Sequence, residues 1–569
     1  MKIKKLKIEN FRNFDNIEIL FDETCNFIVG ENNLGKSNIL NLLNIIFTKR
    51  AFVIDDFLDK TKPINIEFQL KLSDEEIGHF EDLFDLDDYS LVNIISRQIS
   101  PDDNIEFYHK ETDTYISHPT IRSINYIFYD SLRNPISEIN FDKRRGVGKF
   151  LTKIVKDYLF NKNITTENLI NSDEIEDLLS DINSKLSKIK AIKDYELLAN
   201  IDDNIVELIP KLISLKDRQG NELKKSGYGV QFLLLVTLSI LDKLQFIIEQ
   251  RGEKGIFEND ERAISIILGL DEPEIHLHPY MQRSLIKYLN KIINNDNPDF
   301  QSLIKELFGI DKFIGQIIIA THSPSIILDN YKQIIRLYED GSQTKIISGC
   351  DISLNEQLEK HLLLHFPFIK EAFFSRCIIF VEGDSEYGSF NHFGLKLKID
   401  FDDLGISVIQ AGGDSIIQLL DLANQFGIPA VGIRDSDGDN SHTGRDNFFK
   451  TNNRDFEDEL LFLVDEDNES ILRDIIKEYD SQGENRELDK KAINKRAHKK
   501  YRYLSDPIEH NLKLTDINRT NKSLLKSYYV TWFSINKSQP LGRLIGMKLD
   551  ETNIPQIYKD IIMKAKSLC

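Results

Sequence analysis

Short alternating stretches of hydrophobic and polar residues open the chain, and longer apolar runs follow. The segments KIKKLKIENF, IEILF and INIEFQLKL alternate and predict strands. CNFIV leads into GENNLGKSN and then into the apolar-periodic ILNLLNIIF, which is the order of a strand, a glycine loop and a helix. Residues 74–217 are charged and mostly helical in pattern, so we expect a helical insertion there that serves self-association.

Strands and helices alternate in the remainder of the chain. Two apolar strands, AISIILGL and QIIIAT, each end at a polar cluster, DEPEIHLHP and THSPSI. Beyond residue 376, the predicted strands CIIFV, ISVIQA and PAVGI occur with the predicted helix SIIQLLDLANQF. This order predicts an α/β protein with parallel sheets whose carboxyl ends form the working edge. A domain boundary is expected around residues 350–372, which have the pattern of a helical connector.

Length, charge and cysteine content narrow the class of protein. A chain of 569 residues predicts about two to four domains, and the four scattered cysteines suit a reducing cytosol. The longest apolar stretch, Phe232–Leu241, has about half the length needed to span a membrane, so we expect a cytoplasmic protein with no membrane partner. Because the net charge is −20, DNA binding would depend on local basic surface or on metal ions. The basic run Lys490–Tyr503 is either such a DNA contact or an ordinary exposed helix or loop.

The glycine loop fits the pattern G-x-x-x-x-G-K-[ST] between a predicted strand and a predicted helix. Its glycines let the backbone approach phosphates closely, and the helix N-terminus favours an anion. Lys36 is expected to reach the β- and γ-phosphates of ATP, and the Ser37 hydroxyl is expected to hold Mg²⁺. The residues predicted to bind nucleotide in this segment are Gly30, Asn33, Gly35, Lys36, Ser37 and Asn38.

Two later strand ends complete the predicted nucleotide site. Asp271 and Glu272 follow AISIILGL, where an aspartate can bind Mg²⁺ through water and the next glutamate can polarise the attacking water. His322 follows another apolar strand and is expected to sense the γ-phosphate. We therefore expect ATP hydrolysis, with Glu272 as the catalytic residue.

Acidic residues follow the apolar strands beyond residue 376. One such residue alone would suit a solvated turn, but several at neighbouring strand ends would repel one another unless cations lie among them. Oxygen ligands fit Mg²⁺ or Mn²⁺ better than zinc, and two such ions can stabilise the attacking and leaving oxygens of a phosphodiester. The predicted metal ligands here are Glu382, Glu386, Asp435, Asp437, Asp455 and Glu457.

The segments LKIENFRNF, IVGENNLGKSNIL, LDEPEIHLHP and THSP resemble the ATP-binding-cassette (ABC) ATPases of the SMC-like class. The resemblance implies that two subunits sandwich ATP and that a signature loop of one subunit completes the site of the other. The matching loop is SGYGVQ, which assigns nucleotide contacts to Ser226 and Gly227. It departs from the usual LSGGQ, which leaves open how fast ATP is hydrolysed and whether the usual dimer closes.

The order Glu, D-x-D, D-x-E resembles the TOPRIM module of topoisomerases, primases and small nucleases. An SMC-like ATPase followed by TOPRIM resembles the overcoming-lysogenisation-defect (OLD) family, and in length and order its Gabija anti-phage branch. The resemblance assigns the family's metal glutamate to Glu382 and its paired aspartates to Asp435 and Asp437. It also implies a lysine against the scissile phosphate, best matched by Lys537. The alternatives to that lysine are Lys522, Lys526 and Lys548.

The expected organisation is an ABC ATPase domain at 1–73 and 218–350, a helical insertion at 74–217, and a TOPRIM domain with a C-terminal helical extension at 372–569. The resemblance implies an ATP-regulated, Mg²⁺- or Mn²⁺-dependent DNA endonuclease that forms homo-oligomers, acts in anti-phage defence and has a helicase partner. Two alternatives stay open: a repair or recombination ATPase that binds DNA without cutting it, and an effector that cleaves RNA such as tRNA.

Overall fold

Two units make up the chain, Met1–Ile352 and Ser353–Cys569. The computed structural model describes residues 1–131, 147–161, 172–188, 197–201, 213–217, 220–222, 227–251, 257–258, 261–275, 277–328, 330–341, 343–437 and 444–569.

The strands of the first unit are β1 (Lys2–Glu9), β2 (Ile17–Leu20), β3 (Cys25–Gly30), β4 (Ile64–Lys71), β5 (Leu91–Gln98), β6 (Glu106–His109), β7 (Tyr115–Ile116), β8 (Tyr126–Tyr129), β9 (Leu197–Ile201), β10 (Ile213–Asp217), β11 (Phe257–Glu258), β12 (Arg262–Asp271), β13 (Lys312–Ala320), β14 (Ile334–Asp340) and β15 (Gln343–Ser348). Its helices are α1 (Lys36–Thr48), α2 (His118–Arg122), α3 (Val147–Asn161), α4 (Ser172–Ser187), α5 (Tyr228–Arg251), α6 (Pro279–Ile293) and α7 (Pro298–Phe308).

An antiparallel sheet of six strands forms one layer of the first unit, in the order β2-β1-β4-β5-β6-β7. In β4, every second residue of INIEFQLK is buried, as its sequence alternation predicts. One face of this sheet therefore contributes to an apolar core, which also contains residues of α1.

A mixed sheet of seven strands forms the other layer, in the order β11-β12-β13-β3-β14-β15, with β8 also paired to β12. The neighbours β12, β13, β3 and β14 are parallel, and β3 is buried along its whole length because both faces are covered. Ala320 pairs with both Asp271 and Ile28, so β12, β13 and β3 end at the same edge. The glycine loop and the two polar strand ends therefore meet there.

The predicted helical insertion at 74–217 is wrong in its secondary structure for much of the described chain. Strands β5 to β8 lie within this range, and β5 to β7 extend the antiparallel sheet. In β5, LVNIISRQ carries an apolar run whose packing against β4 outweighs the charged neighbouring segments. Helical structure is present at α3 and α4, and β9 and β10 form a separate hairpin-like pair.

Helix α5 corrects the expectation that no segment is long enough to span a membrane. Within the described residues, Gly229–Glu249 is long and apolar enough by length and composition, with a mean hydropathy of 1.7. However, 72% of that window is buried inside the protein, and core helices pass the same test. The apolarity of α5 is thus accounted for by its packing in the first unit.

The strands of the second unit are β16 (Cys377–Val381), β17 (Ile406–Gln410), β18 (Ala430–Arg434), β19 (Phe448–Lys450), β20 (Glu487–Leu488) and β21 (Leu512–Lys513). Its helices are α8 (Glu356–Ile369), α9 (Asp384–Lys396), α10 (Phe401–Leu404), α11 (Ile416–Gln425), α12 (Phe456–Glu459), α13 (Phe462–Asp465), α14 (Glu469–Tyr479), α15 (Lys490–Ile493), α16 (Lys522–Ile535), α17 (Gln539–Lys548) and α18 (Gln556–Leu568). A π-helix, Asn494–Lys500, continues α15.

A parallel sheet in the order β17-β16-β18-β19 organises the second unit. All five residues of β16 are buried, because helices pack against the sheet. Helices α9 and α11, which connect successive strands along the chain, contact the sheet, and so does the C-terminal helix α18. Helix α16 adds the buried aromatic residues Tyr528, Tyr529, Trp532 and Phe533 to the same core. The adjacent strands β16 and β18 end side by side, which brings Glu382 and Asp435 to one edge.

Candidate functional site

The glycine loop of the first unit has the backbone that its sequence pattern predicts. Gly30 and Gly35 have φ angles of 135° and 93°, which other residues rarely adopt. A Cβ on Gly30 would lie 2.2 Å from the Leu337 carbonyl oxygen, and one on Gly35 would lie 2.6 Å from Asn13 Oδ1. Glycine is therefore required at both positions, and the loop delivers Lys36 and Ser37 to the start of α1.

Lys36, Ser37 and Asp271 lie together at the carboxyl edge of the mixed sheet. Lys36 Nζ donates to the carbonyl oxygens of Gly30 (2.9 Å) and Glu31 (2.5 Å), and Ser37 Oγ donates to Asp271 Oδ1 (2.7 Å). Burial lowers the pKa of Lys36 to about 8 and raises the pKa of Asp271 to about 6. The hydroxyl and carboxylate predicted to hold Mg²⁺ are thus in direct contact.

A polar network that sequence reasoning missed supports this loop. Arg12 Nη1 donates to Asn38 Oδ1 (2.7 Å), and Asn38 Nδ2 donates to Asn13 Oδ1 (2.7 Å). Asn13 Nδ2 in turn donates to the Leu34 carbonyl oxygen (2.8 Å). Asn38, predicted to bind nucleotide, therefore joins the first turn of α1 to the segment FRNF. The sequence signal that could have revealed this network is the segment FRNF, which is already among the segments that resemble ABC ATPases.

Glu272 and His322 face each other at the ends of β12 and β13. His322 Nε2 lies 3.2 Å from Glu272 Oε1, and Glu272 has a positive φ of 46°. Burial and the charge of Lys36 lower the pKa of His322, which favours the neutral ring. Glu274, which was not predicted, accepts hydrogen bonds from the His322 N–H (2.6 Å) and from Thr321 Oγ1 (2.8 Å). Glu274 thus holds the His322 backbone beside Glu272.

The remaining residues predicted to bind nucleotide are exposed or lie outside the described residues. Asn33 is exposed in the loop, with a φ of 67°. Gly227 is exposed immediately before α5, and Ser226 lies outside the described residues. The signature-loop assignment thus stays a prediction.

In the second unit, Glu382 and Asp435 are joined directly. The Asp435 N–H donates to Glu382 Oε2 (2.8 Å), so the backbone after β18 holds the side chain that follows β16. A Cβ on Gly413 would lie 2.6 Å from that same oxygen, which explains the glycine at this position. The two strand ends and the Gly413 turn therefore define the position of the Glu382 carboxylate.

Two buried carboxylate oxygens beside this contact have no hydrogen-bond partner. They are Glu386 Oε2 and Asp435 Oδ1, as far as the described residues go. Burial and the charge of Glu457 raise the pKa of Glu386 to about 8, and burial and the charge of Glu386 raise the pKa of Asp435 to about 9. Unpaired buried carboxylates are costly, so this arrangement indicates a position for protons or cations.

Lys537 supplies one cation to the same cluster. Its Nζ lies 2.7 Å from Glu457 Oε2, and Glu457 Oε1 accepts a hydrogen bond from Ser385 Oγ (3.0 Å). Burial by itself lowers the pKa of Lys537, but the charges of Glu457 and Glu386 reverse this effect and the pKa lies above its usual value. The structure thus places Lys537, rather than a neighbouring lysine, against a predicted ligand: Lys526 pairs with Asp465 and Lys548 with Glu478.

Asp455 is fully buried and is held by residues that sequence reasoning did not assign. Its Oδ2 accepts hydrogen bonds from Lys500 Nζ (2.8 Å) and from the Tyr501 hydroxyl, and its Oδ1 caps α12 through the Asp458 N–H (3.1 Å). The signal was the basic run Lys490–Tyr503, whose contact with an acidic residue could not be derived from spacing. Asp437 differs from Asp455, because it is exposed and has a positive φ of 46°.

The donor set fits Mg²⁺ or Mn²⁺ in its chemistry, since all the donors are carboxylate oxygens and two of them lack partners. The arrangement is not a closed metal site as it stands. No group of three or more His, Cys, Asp or Glu side chains in the described ranges is placed to hold a metal ion. Glu382, Asp435 and Glu386 therefore stay predicted ligands, and two of them carry the buried oxygens without partners.

Both units match known families. A model of the AAA ATPase domain matches residues 1–143 and 121–327, and a model of the overcoming lysogenization defect protein-like TOPRIM domain matches residues 373–437. The chain belongs to the AAA ATPase domain family, joined to an OLD-like TOPRIM domain. The SMC-like ATPase fold and the TOPRIM fold predicted from the sequence are thereby confirmed.

Three curated proteins illustrate the relationship. Endonuclease GajA of Bacillus cereus (strain HuB5-5) is 24% identical over 566 residues, covering 79% of this chain and 78% of that protein. The OLD nuclease of Thermus scotoductus (strain ATCC 700910 / SA-01) is 21% identical, covering 76% of this chain and 82% of that protein. DNA replication and repair protein RecF of Thermoanaerobacter sp. (strain X514) is 26% identical, covering 41% of this chain and 58% of that protein. The predicted likeness to the OLD and Gabija nucleases is confirmed, and it spans both units.

Proposed function

We propose that this protein is an ATP-regulated, divalent-metal-dependent DNA endonuclease. The observation that carries the proposal is the acidic cluster of the second unit, which we define as Glu382, Glu386, Asp435, Asp455 and Glu457. Within this cluster Glu386 and Asp435 have buried oxygens without partners, and Lys537 pairs with Glu457. Uncompensated carboxylates beside a fixed lysine suit the binding of metal ions and a phosphodiester. The similarity to proteins named endonuclease GajA and OLD nuclease supports the same reaction.

In this proposal the residues of the acidic cluster hold metal ions, and Lys537 acts on the phosphate. Mg²⁺ or Mn²⁺, when bound, would supply a Lewis acid that stabilises the attacking and leaving oxygens. Glu382, Asp435 and Glu386 would hold the ion or ions, with Asp437, Asp455 and Glu457 completing the acidic surroundings. Lys537 would move from Glu457 to the scissile phosphate and neutralise the charge that develops there.

The first unit would bind ATP and regulate cutting. Ser37 and Asp271 are already hydrogen-bonded at the edge where a nucleotide with its Mg²⁺ would bind, Lys36 is held by the glycine loop next to Ser37, and Glu272 lies beside His322. We propose that Ser226 and Gly227 complete the site of a second copy, which makes the protein a homo-oligomer. The Gabija resemblance extends the proposal to a cytoplasmic role in anti-phage defence with a helicase partner.

Plasmid cleavage tests the nuclease proposal. Supercoiled DNA is incubated with the purified protein and Mg²⁺ or Mn²⁺, with and without ATP, and nicked and linear products are measured. Wild-type protein should cut, and Asp435→Ala should lose this activity. Asp403→Ala, which removes an exposed carboxylate elsewhere in the unit, serves as the matched control. If Asp435→Ala cuts as well as wild type, or if neither cuts, the nuclease proposal fails.

The similarity to RecF supports a second candidate, a repair or recombination ATPase that binds DNA without cutting it. This candidate predicts ATP-dependent DNA binding with no cleavage under any metal condition. The RecF similarity covers 41% of the chain, whereas the similarity to endonuclease GajA covers 79%. Parallel incubation with purified tRNA distinguishes an RNA-cleaving effector.

A further inference from the structure

The run Lys490–Tyr503 contains seven lysines and arginines and no acidic residue, in a chain whose net charge is −20. Its exposed members define what we name the basic strip: Lys490, Lys491, Lys495, Lys499, Lys500 and Arg502. We propose that the basic strip binds the phosphate backbone of DNA beside the acidic cluster. This inference deepens the proposed nuclease function and rests on it for the identity of the polyanion.

The strip is built on a helical segment with one buried side. Ile493 and Ala497, four residues apart, are buried in the core of the second unit, whereas the lysines around them are exposed. The segment passes from α15 into the π-helix Asn494–Lys500 and contacts α16. Short π-helical stretches are uncommon and occur frequently at functional sites.

Hydrogen bonds also fix the segment against the following loop. Asn494 Nδ2 donates to the Ile508 carbonyl oxygen (2.9 Å), and Asn494 Oδ1 accepts from the Ile508 N–H (2.8 Å). Lys490 Nζ donates to the Glu509 carbonyl oxygen (2.8 Å). The backbone that carries the lysines is therefore held in place, so the positive charges do not depend on a mobile tail for their position.

The end of the strip touches the acidic cluster. Lys500 Nζ is 2.8 Å from Asp455 Oδ2, and the adjacent Tyr501 hydroxyl donates to the same oxygen. Tyr501 also lies 3.2 Å from Ser534 Oγ, on the helix that precedes Lys537. A backbone bound along the strip would thus lead towards the carboxylates proposed to hold metal.

The charges of the strip are largely uncompensated. Across the part of the chain that the structure describes, its recorded ion pair is the one between Lys500 and Asp455. Exposed, unpaired cations attract phosphates through release of counterions, and they would offset the repulsion between DNA and a strongly acidic protein. Because the strip leads to the carboxylates proposed to hold metal, which a phosphodiester substrate would need to reach, DNA rather than an acidic protein is the better match.

Equilibrium binding of DNA tests the strip. Fluorescence anisotropy of a labelled duplex is measured over a range of salt concentrations, using full-length protein with Glu382→Gln to prevent cutting. The strip variant is Lys495→Ala with Lys499→Ala, and the matched control is Lys559→Ala with Lys566→Ala on α18. Loss of two phosphate contacts should reduce the slope of log K against log salt by about 2 and weaken binding about tenfold at moderate salt. The control pair should bind like the parent protein.

Unchanged binding and slope in the strip variant, or an equal loss in the control pair, would overturn the proposal. Circular dichroism of both variants should match the parent, because Lys495, Lys499 and Lys566 are exposed and Lys559 is only partly buried. Hydrolysis of a small phosphodiester, bis(p-nitrophenyl) phosphate, with Mn²⁺ separates this test from the nuclease proposal. In the wild-type background the strip variant should hydrolyse it at the wild-type rate. Failure of the wild-type protein to hydrolyse any phosphodiester would defeat the nuclease proposal, while the binding result would still decide the strip.

Discussion

The nucleotide site of the first unit and the acidic cluster of the second unit balance their charges in different ways. In the first, Lys36 donates to two backbone carbonyl oxygens, and Asp271 accepts from Ser37. In the second, Glu386 and Asp435 have buried oxygens without partners, and Lys537 forms its ion pair with Glu457. The nucleotide site thus holds its shape without a ligand, whereas the acidic cluster needs protons or cations.

This difference follows from the backbone around each site. A glycine loop and a helix N-terminus offer many fixed dipoles, so a buried lysine finds acceptors within the loop itself. Carboxylates at the ends of parallel strands face one another, and the strand ends offer few donors to them. We therefore expect the two sites to respond in opposite ways to the loss of one side chain.

The largest effect is expected from Glu382→Gln. This change keeps an acceptor for the Asp435 N–H but removes the negative charge, so metal-dependent cleavage should fall by at least about a hundredfold. ATP binding, measured by isothermal titration, should be unchanged. Cleavage rates near wild type would mean that the Glu382 carboxylate does not serve the reaction.

Lys36→Ala should weaken ATP binding and leave cleavage unchanged, which is the reverse of the result expected for Glu382→Gln. Removing a charged donor to the phosphates should weaken ATP binding by about ten- to a hundredfold. Cleavage measured without ATP should stay at the wild-type rate, because Lys36 has no part in the acidic cluster. A loss of both activities in this variant would break the comparison between the two sites.

Lys537→Met tests the balance of charge in the acidic cluster. Leaving the buried Glu457 without its cation should lower the free energy of unfolding by about 2 kcal/mol, less than for a fully buried pair because Lys537 is 39% exposed. Added Mg²⁺ should restore part of the loss, as measured by urea denaturation. Lys548→Met, which breaks an exposed ion pair with Glu478, should cost much less stability and show no Mg²⁺ effect.

The smallest effect concerns pH. Because the pKa values of Glu386 and Asp435 are raised to about 8 and about 9, the folded protein keeps protons that the unfolded chain has released. That contribution to stability is complete below the unfolded pKa values and is lost as the pH rises through the folded ones. In chelator, the melting temperature of wild type should therefore fall between about pH 6 and about pH 9. Asp435→Asn should flatten this decrease, and a parallel decrease in the variant would contradict the assignment.

Local patterns predicted several elements because each depends on neighbouring residues. The glycine loop before α1, the strand before Glu382 and the strand before Asp435 all lie where periodicity placed them. The range 74–217 failed because β5 to β7 are stabilised by pairing with β4, which lies outside that range. The charged residues that flank those strands favoured a helix prediction. Pairing across a sheet depends on residues distant in sequence, so a short stretch of sequence does not reveal it.

The side-chain partners of the acidic cluster were equally hidden. Ser385 and Glu457 are 72 residues apart, and Lys500 and Asp455 are 45 residues apart, so no spacing rule connects them. Of the four C-terminal lysines, Lys537 is the one that the structure places against Glu457, and its role at the scissile phosphate stays a prediction.

The sequence by itself determined the order of the two modules, the phosphate-binding loop and the identity of the acidic residues, because these depend on short motifs and on period. Only the tertiary structure decided which carboxylates are buried without partners, which lysine faces them, and that the basic strip ends at Asp455. The physical reason is that desolvation and ion pairing depend on the surroundings of a side chain in space, and packing between distant segments sets those surroundings.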